Sequence, residues 1–177
     1  MIDGVFRADY FRMTGKQYRF GIGFLTNFTL RHNIRFVFYL RKKKSVLKRI
    51  IAFRYARKYG LEFSANVKIG KGFYLGHPYN ITVGEGVVIG DNVNLHKGVT
   101  IGVENRGERI GAPVIGNHVY VGVNATIVGK VNIGDDVLIA PGAFVNFDVP
   151  SHCVVLGNPG IIHPVENATN GYIRNCV

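Results

Sequence analysis

A six-residue period held through ten repeats, glycine closing many of those repeats, and a basic, apolar-patterned stretch ahead of them predict the fold class. It is an all-β core built as a single-stranded left-handed parallel β-helix, with a short helical N-terminal segment. From Ala65 the chain reads in sixes, with apolar residues at the third and fifth places. Ile69, Leu75, Ile89, Leu95, Ile101, Val121, Ile127, Ile133, Ile139 and Val145 hold the fifth place. Val67, Val87, Val93, Val99, Val119, Ala125, Val131, Val137 and Ala143 stand two residues earlier.

Residues i and i+2 of a strand share a face, so both rows point inward together. Each hexad is then a short strand and a corner, three hexads close a triangular coil, and coils stack at about 4.8 Å. Corners favour residues tolerant of unusual backbone angles, and this reading accounts for Gly70, Gly76, Gly84, Gly90, Gly102, Gly116, Gly122 and Gly134, with Asn66, Asn92, Asn117, Asn124 and Asn132 beside them. An antiparallel sandwich would vary its strand and turn lengths, whereas the count here stays at six.

The count breaks twice. Two extra residues enter around His77, Pro78, Tyr79 and Asn80, and a polar excursion over residues 103–112 leaves the coil before Ile115. Insertions in a solenoid often build its binding face. The expected organisation is a basic, mainly helical segment over 1–60, the β-helix over 61–162 and a tail over 163–177. Residues 31–59 read as helix: Ile34, Val37, Phe38, Val46, Leu47, Ile50, Ile51, Phe53 and Ala56 form an apolar side, basic residues at 41–44, 48, 49, 54, 57 and 58 form much of the other, and Gly60 is the stop. A shorter helix is expected over 9–17, and 20–28 is too mixed to assign.

Charge is divided between the two parts. Residues 1–60 carry 15 of the 22 Lys and Arg against only Asp3 and Asp9, a charge of +13, and the remainder carries −2. A basic helical segment with interleaved aromatics suits peripheral contact with an anionic membrane, or packing of its apolar side against the β-helix or another copy. No nucleic-acid-binding motif accompanies it. Cys153 and Cys176 form neither a disulfide framework nor a metal motif, and no apolar run spans a bilayer, so a cytoplasmic protein without a resident metal is expected.

Because the core of a β-helix is apolar, chemistry must come from corners and breaks. His77 lies in the first break, with Glu62 15 residues earlier, close to one coil behind. A histidine held by a carboxylate is a minimal general base; the plainer reading is a histidine that hydrogen-bonds at a corner. His96 replaces a small corner residue 19 residues after His77, close to one coil on. It is a second catalytic candidate, or a pocket-lining or subunit-contact residue. Arg106 and Arg109 in the excursion, with Tyr79 in the first break, are the candidate acceptor contacts. No phosphate-binding GxxxxGK[ST] or strand-helix GxGxxG is present.

The repeats, His77 and the exit Gly157-Asn158-Pro159 resemble the serine acetyltransferase branch of the hexapeptide acyltransferases, including members acting in surface-polysaccharide pathways. The resemblance covers about residues 61–162. It implies a homotrimer with active sites between adjacent β-helices, acetyl-CoA as co-substrate, His77 as the base that deprotonates the acceptor and Glu62 as its carboxylate partner. It also implies that Gly122, Val123, Ala140, Pro141 and Gly142 contact the cofactor, chiefly through backbone. Two family features are missing: the Asp immediately before the histidine is Gly76, and the Arg-His-Pro after the excursion is Gly111-Ala112-Pro113. A serine zwitterion would then leave charges unpaired. The expected reaction is therefore acetyl transfer to a hydroxyl of a sugar or surface-polysaccharide intermediate, with serine O-acetylation for cysteine biosynthesis as the alternative. A non-catalytic β-helix is the rival from another class.

Overall fold

The computed structural model describes residues 4–42 and 46–177. Four helices precede the coil: α1 (Gly4–Thr14), α2 (Ile22–Leu30), α3 (His32–Leu40) and α4 (Val46–Tyr59). The continuity of helix expected across 43–45 lies outside the described residues, as do the side chains of 48 and 49. The first helix starts at Gly4, ahead of the expected Asp9, and α2 occupies the stretch that periodicity left open. Packing explains α2. Phe24 is buried among Tyr10, Tyr18 and Phe28, with ring centroids 5.8, 5.0 and 5.4 Å away, so tertiary contact fixes a segment whose local pattern is mixed.

The β-helix follows. Its first coil is β1 (Leu61–Phe63), β2 (Lys68–Ile69) and β3 (Tyr74–Gly76); its second is β4 (Ile81–Val83), β5 (Val88–Ile89) and β6 (Asn94–His96). The third is β7 (Thr100–Gly102), β8 (Val114–Ile115) and β9 (Tyr120–Val121), and the fourth is β10 (Thr126–Val128), β11 (Asn132–Ile133) and β12 (Val137–Ile139). Then come β13 (Phe144–Val145), a single bridge from Val149 to Ile133, and β14 (Cys153–Leu156), on which β15 (Ile161–Pro164) folds back antiparallel.

Strands stack in parallel on three faces: face A holds β1, β4, β7, β10 and β13; face B holds β2, β5, β8 and β11; face C holds β3, β6, β9, β12 and β14. This is the left-handed β-helix expected of the repeats. Leu75, Leu95, Val121 and Ile139 of the fifth-place row are buried in register down face C and Ile101, Ile127 and Val145 down face A, and the third-place row is buried from Val87 through Ala143.

The glycines need a different explanation from the one the sequence suggested. Left-handed backbone falls at the second place of the hexads, at Gly72, Gly86, Gly98 and Gly142 and also at Asn92, His118, Asn124 and Asp136. Most sixth-place glycines instead mark close approach between coils, Gly102 being an exception. A Cβ at Gly90 would lie 2.5 Å from the Gly116 carbonyl oxygen, one at Gly116 would lie 2.8 Å from Gly134 carbonyl carbon, and one at Gly134 would lie 2.5 Å from Ser151 N. Beside this column each side chain caps the coil below, Asp91 Oδ1 accepting from Lys71 N (2.8 Å), Asn117 Oδ1 from Asp91 N (2.8 Å) and Asp135 Oδ1 from Asn117 N (2.6 Å).

One buried ion pair fastens the helices to the coil. Arg41 donates from Nε to Asp9 Oδ2 (2.7 Å) and from Nη2 to Oδ1 (3.0 Å), while its Nη1 reaches the Ile69 carbonyl (2.6 Å). Asp9 also accepts from Phe73 N (2.9 Å). The expected apolar side of 31–59 divides in two: Ile34 and Val37 are buried, whereas Val46, Leu47, Ile50 and Phe53 are more than half exposed. Among the described residues no helix is long and apolar enough to cross a membrane.

Gly116→Ala should therefore destabilise the fold by about 1–3 kcal/mol, the usual cost of overpacking. Gly23→Ala, where nothing lies within 4 Å inside α2, should be neutral or stabilising by up to about 1 kcal/mol. Urea unfolding of the two variants tests the contrast.

Candidate active site

The chain turns from face C to face A at one corner of every coil, and these corners stack into a continuous edge. Gly98 N donates to Tyr79 O (2.9 Å), Asn124 N to Lys97 O (2.9 Å) and Gly142 N to Val123 O (2.8 Å). His77 stands at the first of these corners. Gly122 and Val123 stand at the third, and Ala140, Pro141 and Gly142 at the fourth. The five candidate cofactor positions are thus brought together. Gly122 must lack a side chain, since its Cβ would lie 2.7 Å from Pro141 N.

His77 has a left-handed φ of 48°, and its imidazole is exposed. Its corner is pinned from both sides by the start of α3: Asn33 Nδ2 donates to the Leu75 carbonyl (3.3 Å), and His32 Nε2 lies 3.2 Å from the Pro78 carbonyl. Only a donating His32 nitrogen satisfies that oxygen, which fixes its tautomer. The His32 ring stacks on Tyr59, centroids 4.3 Å apart. Sequence reasoning gave His32 and Asn33 no part, because nothing local links α3 to a break some 45 residues on.

His96 is the sixth-place residue of the coil above, opposite Gly76 in the β3–β6 register. A Cβ at residue 76 would lie 2.5 Å from His96 Nδ1, so the ring fills the room that a side chain before His77 would take. The ring also meets Tyr120, centroids 4.7 Å apart. Its Nε2 is buried without a hydrogen-bond partner among the described residues. Burial pushes the His96 imidazole below its ordinary value of 6.5, and the nearby His77 pushes the same way. The structure thus sets a neutral imidazole beside the exposed one.

The remaining candidates lie elsewhere. Glu62 is exposed on face A, at the foot of an outward row that continues through Thr82, Thr100, Thr126 and Phe144. No hydrogen bond joins it to His77 among the described residues. Tyr79 belongs to the His77 corner, with its ring edge-on to His32 and Tyr59. Arg106 and Arg109 sit on the opposite edge of face A, in a hairpin closed by paired hydrogen bonds of 3.0 Å between Glu104 and Gly111. With Glu104, Glu108, Phe144 and Asn146 they line a hollow of about 270 Å³. Within one chain they do not meet His77.

Residues 112–146 match the family described as bacterial transferase hexapeptide (six repeats). The chain is 32% identical over 140 residues to a serine acetyltransferase of Helicobacter pylori, and the match covers 78% of each protein. The chain belongs to the hexapeptide-repeat acyltransferase family. A serine acetyltransferase of Synechococcus elongatus is 33% identical over 101 residues, 57% of this chain and 41% of that protein. Serine acetyltransferase of Neisseria gonorrhoeae, solved in complex with serine, superimposes with a TM-score of 0.77 at 25% identity, covering 92% of this chain and 69% of that one. The soybean serine acetyltransferase apoenzyme gives 0.61 at 31% identity, covering 75% and 54%. This acyltransferase chain therefore spans between about two fifths and four fifths of the length of these relatives.

Two measurements check the Gly76–His96 contact. Gly76→Ala should cost about 1–3 kcal/mol in the parent but far less in His96→Ala, a coupling of about 0.5–3 kcal/mol in a double-mutant cycle. As pH falls below 6.5 the unfolded chain takes up the His96 proton before the folded chain does, so this group's contribution is full above 6.5 and shrinks below it. Urea unfolding between about pH 7.5 and 5.5 should show a stability loss that is smaller in His96→Gln.

Proposed function

We propose that this chain is an acetyl-CoA-dependent O-acetyltransferase with His77 as general base. The observation that carries the reading is the shared edge: the exposed His77 imidazole stands on the same stack of corners as Gly122, Val123, Ala140, Pro141 and Gly142. A donor held along those upper corners would bring its thioester toward His77. The acceptor hydroxyl loses its proton to the imidazole as its oxygen attacks the thioester carbonyl. The tetrahedral adduct then collapses, the carbon–sulfur bond breaks, and the proton passes from His77 to the departing thiolate.

The edge is incomplete in one chain, and this favours assembly. Among the described residues no carboxylate bonds to His77, and Arg106 and Arg109 stand across face A from it. A cyclic arrangement in which one copy's excursion covers its neighbour's edge would supply the missing side of the site, so a homotrimer is the expected assembly. Glu62 remains the proposed orienting carboxylate, through its own chain or through a neighbour.

Serine is the acceptor supported by the names of the relatives. A second reading, a saccharide hydroxyl, is favoured by one observation: position 76 has no carboxylate, and the room beside it is filled by a neutral ring, leaving nothing to pair with an ammonium. The exposed apolar residues of α4 and the +13 charge of residues 1–60 are compatible with an anionic surface nearby.

His77→Ala should lower kcat by about 10²- to 10⁴-fold with acetyl-CoA affinity nearly unchanged, measured by thiol release and by calorimetry. L-serine and a panel of saccharides, run as parallel acceptors, separate the two readings. Retention of more than about a tenth of the activity in His77→Ala would remove it as the base.

A further inference from the structure

Next to the His77 edge, which it meets at His96, the outer surface of face C carries a second cleft, of about 530 Å³. Its floor is Tyr74, Asn94, His96 and Tyr120 from β3, β6 and β9. One wall is the end of α1 and Arg31; the other is the chain around Tyr172 and Arg174. The volume lies within the range of about 300–1,000 Å³ usual for small-molecule sites.

Its electrostatics are one-sided. Arg12, Arg31 and Arg174 line it, and no Asp or Glu does. Arg12 is buried and held in place, donating from Nε to the Gly72 carbonyl (3.0 Å) and from Nη2 to Asn94 Oδ1. Asp9, whose charge also acts on Arg12, is bonded to Arg41 instead. The other two guanidiniums each make one long bond to a carbonyl, Arg31 to Met13 (3.4 Å) and Arg174 to Gly171 (3.3 Å). Most of their donors therefore face the cleft or solvent. Three cations with no carboxylate side chain in the lining suit more than the single charge of a carboxylate, and a phosphate monoester carries about −1.5 to −2 near pH 7. The tyrosines add flat apolar surface, with Tyr120 and Tyr172 centroids 5.0 Å apart, against which a sugar ring can lie.

We propose that this cleft binds a small organic phosphate, a sugar phosphate being the chemistry that suits both its cations and its rings. The site does not depend on the acetyl-transfer reading.

Calorimetric titration of the full chain at low ionic strength, with glucose 6-phosphate, inorganic phosphate and glucose as separate probes, tests it. Glucose 6-phosphate should bind more tightly than either of the others, and Arg31→Gln/Arg174→Gln should weaken it by about tenfold or more. Both arginines are exposed, so this variant should unfold like the parent. Tyr172→Ala should weaken glucose 6-phosphate but not inorganic phosphate. No binding of glucose 6-phosphate, or binding indifferent to the double substitution, would overturn the proposal. Capture of phosphatidic acid vesicles that the double substitution abolishes, without binding of the soluble probe, would also overturn it by assigning the phosphate to a lipid. Thiol release from acetyl-CoA on the same preparations keeps this failure distinct from failure of the acetyl-transfer reading.

Discussion

The spacing between stacked coils governs the rest of the molecule. Parallel strands pair at about 4.8 Å, and a sixth-place residue turns its backbone directly onto the same place in the next coil. At the corner that follows face B, ordinary side chains do not fit. Glycine on successive coils lets the carbonyls and amides of neighbouring corners approach, and the column from Gly70 through Gly134 is the result. The residue that follows then supplies an oxygen to the amide of the coil below, as Asp91, Asn117 and Asp135 do. A chain with few long-range charged contacts thereby keeps its corner amides paired, which matters because an unpaired buried amide costs about as much as several favourable contacts return.

A coil stack needs its first turn covered, and the helical segment provides that cover through Asp9 and Arg41. Burial raises the Asp9 carboxyl above its ordinary value even though Arg41 and the Phe73 amide pull it down, so the carboxylate is tolerable only while its partner stays in place. The pair also caps the first coil, since Arg41 satisfies the Ile69 carbonyl, and its Nη2 lies 2.5 Å from the Gly70 carbonyl. At the far end Asp136, held below its ordinary value by hydrogen bonds from Thr169, His152 and Ala168 that outweigh its burial, ties the tail onto face C. The helices pack on the first coil and the tail on face C, while face A runs between the His77 edge and the Arg106–Arg109 hairpin.

The coil was legible because its rules are local. Every inward row repeats the same contact one coil on, so ten copies of a weak pattern become a strong one. The two breaks were legible for the same reason, as departures from a fixed count. What could not be read was any cause hidden behind a shared letter. Glycine serves left-handed backbone at Gly72 and Gly98 and close approach at Gly90 and Gly116, and the sequence shows the same residue in both cases. The role of His32 and Asn33 at the His77 corner was likewise invisible, since it depends on where α3 packs. Tyr74, Tyr120 and Arg12 gave no signal either, because the cleft exists only once α1 and the tail meet on face C.

The same spacing reaches into the chemistry. Residue 76 and residue 96 hold the sixth place on successive coils, and their backbones are in register. At that separation a side chain at the lower position would compete with the present His96 ring for one space, as the 2.5 Å approach to His96 Nδ1 shows. A carboxylate before His77 and the His96 ring in its present place are therefore alternative arrangements of one edge. This chain has the second. A carboxylate there would add negative charge beside His77 and attract a cationic group. The neutral His96 adds none, since burial holds its imidazole below the ordinary value. The absent side chain at 76 and the ring at 96 are one structural choice, and it sets the charge next to His77.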